Sequence, residues 1–139
     1  MSNYAGAVGI GVADLQRSVA FYRDVLGMRE LMTFDLPHMD EVVMGWGRRG
    51  ASVVLMQYTD GSDPVTTDLP VKLVLYVDDP VAVAAAIRDA GFPIEREPEP
   101  VPSLGNAVVG FAKDPDGYLL ELLQAPPESS CPVRGCGPP

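Results

Sequence analysis

Apolar and polar positions along this chain follow one pattern that occurs twice. The run "AGAVGIGV" has the period-two spacing of a strand, with Val8, Ile10 and Val12 on one face and Ala5, Ala7, Gly9 and Gly11 on the other. Asp14 then offers an N-cap side chain. Leu15, Val19, Tyr22, Val25 and Leu26 follow at helical spacing, and Gly27 fits a helix stop. "RELMTFDL", "EVVMGWG" and "ASVVLMQY" read as three further strands, separated by turn or charged residues. The second half does the same. "VKLVLYV" is a strand, Asp79 a cap and Pro80 a first helical residue. Val83, Ala84, Ile87 and Ala90 form the apolar stripe, Gly91 ends it, and "FPIEREPE", "NAVVGFAKD" and "GYLLELLQ" complete the set.

The two halves align almost residue for residue. Val12 maps to Val77, Asp14 to Asp79, Ala7 to Lys72 and Trp46 to Phe111, while "VVLMQ" laid on "LLELL" places Leu55 at Glu121. So regular an internal repeat implies two copies of one supersecondary unit. The predicted class is α+β: two tandem β-α-β-β-β repeats forming curved mixed sheets in one domain. That domain covers residues 1–125, with repeat one at about 5–60, repeat two at about 70–125 and a flexible tail at 126–139. The polar, turn-rich "TDGSDPVTTDLP" is the linker.

Parity along the strands assigns faces. Leu73, Leu75 and Val77 lie under the second helix, opposite Lys72, Val74 and Tyr76. In the last strand of each repeat the face away from the helix is expected to carry Val53, Leu55 and Gln57, then Leu119, Glu121 and Leu123. Glu121 stands out, because a carboxylate among four leucines is costly unless something pairs with it. Two such open faces turned toward each other would enclose a pocket.

Composition narrows the partners. Of 139 residues 47% are hydrophobic, enough for a core, and the net charge of −9 argues against nucleic acid or an anionic membrane as partner. It suits a cationic or neutral ligand, and equally serves solubility. The N-terminus lacks a basic region followed by an apolar run, and no stretch approaches the roughly 20 apolar residues of a spanning helix. A cytoplasmic location is expected. Cys131 and Cys136 both lie in the Pro/Gly/Ser-rich tail and read as incidental thiols.

"VGIGVADLQRSVAFYRDVLGM" and "DPDGYLLELL" resemble the two signatures of the vicinal oxygen chelate superfamily, the group of glyoxalases, bleomycin-resistance proteins and extradiol dioxygenases. The resemblance runs from about residue 5 to 125. It implies the paired-repeat fold, a pocket-sharing homodimer, and in many members a metal held by His or Gln, Glu, His and Glu. Carried over by position, those ligands fall on Ala7, Leu55, Lys72 and Glu121. Ala and Leu have no donor atoms and a lysine ammonium has no free lone pair, so no metal and no other cofactor is expected. Lys72 instead reads as the counter-charge of Glu121.

Three functions compete on this basis. The favoured expectation is a metal-free protein that binds, without catalysis, an antibiotic or other aromatic natural product. Trp46 and Phe111 would be its stacking faces, with Phe34, His38, Met39, Leu55, Gln57, Tyr58, Lys72, Tyr76 and Glu121 as further lining. The alternative is a metal-independent lyase, isomerase or cyclase using Lys72 and Glu121 as acid–base groups. A metalloenzyme with an unusual ligand set ranks last.

Overall fold

The computed structural model describes residues 3–47, 50–62 and 70–125. Most of the linker, the tail and both cysteines lie outside the described residues. The chain divides into two compact units, one holding the first four strands and the other the last four.

In the first unit, β1 (Ala7–Gly11) leads into α1 (Leu15–Ala20), followed by β2 (Arg29–Asp35), β3 (Met39–Gly45) and β4 (Ser52–Tyr58). The sheet order is β1-β4-β3-β2, with β1 parallel to β4 and the other pairs antiparallel. Asp14 caps α1 by accepting the Arg17 N–H at 3.2 Å, satisfying one of the donors that every helix start leaves open. A second restraint comes from β4, where Gln57 Oε1 accepts the Leu15 N–H at 2.8 Å.

The sequence predicts one continuous helix here, but the chain widens into a π turn over Phe21–Val25, closed by the Leu26 N–H donating to the Phe21 carbonyl at 3.1 Å. The wider turn buries two consecutive aromatics, Phe21 and Tyr22, edge to face at 5.3 Å. Gly27, at φ +79°, ends the segment as expected.

The second unit repeats the plan with β5 (Lys72–Val77), α2 (Pro80–Asp89), β6 (Ile94–Val101), β7 (Ala107–Lys113) and β8 (Leu119–Gln124), ordered β5-β8-β7-β6. Asp79 caps α2 through the Ala82 N–H at 3.1 Å. The "DPDG" turn is held from inside. The buried Asp114 carboxylate accepts the N–H groups of Asp116 and Tyr118 at 3.0 and 2.9 Å, and Gly117 supplies the positive φ the turn requires. On β7, Gly110 admits Pro98 of the irregular β6; a Cβ there would sit 2.7 Å from the proline ring and 3.0 Å from its Cα.

Each core lies between a sheet and its helix. Ile10, Val12, Leu15, Val19, Val42, Met44, Val53 and Leu55 fill the first, and Leu73, Leu75, Ala84, Ile87, Ala112, Leu120 and Leu122 the second. This corrects one expected face. Leu55 is fully buried and pairs with Ile10 in the parallel ladder, so Val53, Leu55 and Gln57 face α1. The open face of β4 carries Ser52, Val54, Met56 and Tyr58 instead.

Candidate functional site

The ladder also redraws the repeat. Ile10 pairs with Leu55 and its counterpart Leu75 pairs with Leu122, so Leu55 corresponds to Leu122. The first-repeat counterpart of Glu121 is therefore Val54, the partner of Gly9 just as Glu121 is the partner of Val74. The same register sets Val43, opposite Val54, against Phe111, opposite Glu121. Trp46 is thus not the repeat partner of Phe111.

Trp46 stands apart from the open face. By parity it falls on the side of Met44, and its indole N–H donates to the Leu26 carbonyl at 3.3 Å, at the end of the helical segment. That bond ties the indole to the helix end, while the residue stays 41% exposed. Of the other candidates in this unit, Leu55 and Gln57 are taken up by the core and the start of α1. Phe34, Met39 and Tyr58 lie on the open face. His38, in the β2–β3 turn, sets its ring edge-on to Tyr58 at 6.5 Å.

At the end of this hairpin Asp35 and Asp40 are paired across the strands. The Asp40 carboxyl is raised above its ordinary value, first because it shares a hydrogen bond with Asp35 and then through desolvation and repulsion. Glu41 joins the open face next to Phe34 and Met56, a carboxylate that strand parity identifies but sequence reasoning passed over.

The second unit gathers its candidates. Lys72, Val74 and Tyr76 of β5, Leu119, Glu121 and Leu123 of β8, and Val109, Phe111 and Lys113 of β7 all share the open face. Glu121 lies between Val74 and Phe111 along the hydrogen-bonded row. Its side chain is only 15% exposed, and Lys72, 46% exposed, donates to it from Nζ at 3.0 Å. The expected pairing of Lys72 with Glu121 on one face is what the structure contains. Lys113 and Arg96 were missed as neighbours, although the i, i+2 spacing of Phe111 and Lys113 in "FAKD" already places them on one face.

A resident metal does not fit this donor set. The four corresponding positions hold Ala7, Val54, Lys72 and Glu121, which offer one carboxylate and one ammonium group. Among the described residues no three His, Cys, Asp or Glu side chains come close enough to share an ion. What the arrangement can do is hold a carboxylate next to an ammonium group against apolar walls.

Residues 5–122 match the family described as Glyoxalase/Bleomycin resistance protein/Dioxygenase superfamily. The chain belongs to that family. A Haemophilus influenzae protein named lactoylglutathione lyase is 35% identical over 81% of this chain and 86% of its own length. The trypanothione-dependent glyoxalase I of Leishmania major superposes with a TM-score of 0.75 at 28% identity, covering 88% of this chain and 87% of that one. An antibiotic binding protein from a Streptomyces species reaches a TM-score of 0.71 at 21% identity, covering 90% and 98%, a likeness of fold alone. These findings correct the expectation of an antibiotic-sequestering, non-catalytic protein. The relatives with substantial sequence identity are named for an enzyme, and the antibiotic binder shares only the architecture.

Proposed function

We propose that the chain is an enzyme that moves a proton at a carbon next to a carbonyl group, with Glu121 as the base. Lys72 is the charge that steadies the oxygen of the resulting enolate. The carrying observation is the Lys72–Glu121 pair at 3.0 Å on the open face, with Glu121 largely shielded and flanked by Val74 and Phe111. When the C–H bond breaks, the proton goes to a Glu121 oxygen and the electron pair moves onto the carbonyl oxygen. An ammonium group donating to that oxygen is worth more in a partly desolvated site than in water. Among the described residues Lys72 uses one of its three donors, on Glu121.

The relatives' name supplies a first substrate. Lactoylglutathione carries a C–H between a hydroxyl group and a thioester carbonyl, a carbon acid of the kind this pair can serve. Wild-type protein is expected to exchange that C–H proton with solvent deuterium. Glu121→Gln should lower the rate at least about a hundredfold, the usual worth of a positioned base, while the far-ultraviolet spectrum stays unchanged. No exchange by the wild type, or equal rates in the two proteins, would refute the proposal.

We infer also that the working form is a homodimer. Met32 and Phe34 on the first open face, and Val74 and Tyr76 on the second, are exposed apolar side chains that a second copy would cover. Sedimentation should give the mass of two chains at micromolar concentration. A stable single-chain mass would contradict it.

A further inference from the structure

We propose that the open face of the second sheet carries an anion subsite, in which Lys72 and Lys113 together receive a carboxylate of the substrate above Leu119. The inference rests on the proton-transfer reading of Glu121 and adds the chemical class of its substrate, an organic anion.

The ladder register carries it. Leu119 pairs with Lys72 on one side and with Lys113 on the other, so the two lysines bracket one leucine on one face. Their backbones are two strand spacings apart, about 9–10 Å; Lys113 here reaches toward Glu95 on β6 and has to swing toward β8 to meet a carboxylate together with Lys72. Among the described residues neither ammonium group is saturated, and Lys72 makes one hydrogen bond, to Glu121. Lys113 lies 3.8 Å from Glu95, an ion-pair distance without a hydrogen bond. Both side chains are nearly half exposed, 46% and 42%, so the heads are accessible and the cost of desolvating them is modest.

The other charged groups nearby are already engaged. Arg96 lies on the same face opposite Phe111 and is balanced by Glu99 at 3.1 Å. The carboxylate of Asp114, next in sequence, is buried and committed to the backbone of its turn. Lys72, Arg96 and Lys113 gather on one face, each beside one carboxylate, Glu121, Glu99 and Glu95 in turn, so a bound anion competes with those partners. The spacing along β8 suits catalysis as well. Leu119 and Glu121 are two residues apart, about 6.6 Å, so an anion over Leu119 leaves a carbon a few bonds away within reach of Glu121.

The carboxylate can belong to a small hydroxy acid or to a peptide thiol, and lactate and glutathione serve as probes for these two sources. Methyl lactate is the neutral control. Titrations of ¹⁵N-labelled protein should show one or both anions shifting the amides of β5, β7 and β8, with no shift from methyl lactate. Lys113→Gln should weaken the binding at least about tenfold, as expected for loss of one charge-assisted hydrogen bond, and Lys113→Arg should keep it. Glu121→Gln should bind the anion at least as well as the wild type, because it removes a neighbouring negative charge. Retained binding alongside lost turnover therefore separates this subsite from the catalytic proposal. Binding by a wild-type protein that never turns over would sink the catalysis and leave the subsite standing. No response to either anion, an equal response to methyl lactate, or undiminished binding in a folded Lys113→Gln variant would overturn the subsite.

Discussion

Glu121 has apolar neighbours on both sides of its row and a lysine on each diagonal, of which Lys72 is bonded to it, and removing Lys72 is informative. Lys72→Met leaves a shielded carboxylate without its ion partner. The expected loss is about 1–3 kcal/mol, less than for a fully buried pair because Lys72 is half exposed, and the denaturant midpoint measures it. Asp40 gives the opposite case. Its carboxyl is raised above its unfolded value by Asp35, so the native state holds the proton more tightly than the unfolded chain does. That contribution to stability is complete at pH values below the unfolded carboxyl pKa and fades as pH rises through the folded one. Asp40→Asn should therefore raise the melting temperature at neutral pH and change it little in strong acid. An equal shift at both pH values would show that Asp35 is not the cause.

At the scale of elements, the turn before β8 sets where Glu121 points. Asp114→Ala removes two buried hydrogen bonds to the backbone and should cost about 1–3 kcal/mol, read from the same denaturant midpoint. Both helices, their Asp caps, all eight strands and the faces of the second unit were legible in the sequence. There, alternation is marked by chemistry: Glu121 between leucines in β8, and Lys72 opposite Leu73 and Leu75 in β5. The last strand of the first unit was read one residue out of register. The apolar run "VVLM", Val53 to Met56, carries no polar marker, and parity inside it is invisible to pattern alone. Gln57 was the available signal. Matched to Gln124, it brings Val54 onto Glu121 and Leu55 onto Leu122, the correspondence that the ladders show. The π turn was beyond reach for a different reason, since it is set by the packing of Phe21 and Tyr22 rather than by local preference. The pairing of Trp46 with Phe111 failed for the same reason as the β4 register, since the ladders set Val43 against Phe111.

Across the whole chain, the two repeats have kept one architecture and divided its chemistry. The first unit presents Ala7, Gly9 and Val54 where the second presents Lys72, Val74 and Glu121, and the Met56 side chain lies 3.1 Å from the place a Cβ of Gly9 would occupy. Glu41 is the carboxylate that remains on the first open face, and no lysine accompanies it on the ladder. The family's fold is thereby retained while the charged pair belongs to one repeat. The account stands on Glu121 taking a proton from carbon, and solvent exchange observes that step without waiting for product. Lactoylglutathione incubated with the protein in D₂O should lose the proton signal at its hydroxyl-bearing carbon with wild-type protein, and lose it at least about a hundredfold more slowly with Glu121→Gln. Equal exchange by both proteins, or none by the wild type, would contradict the account.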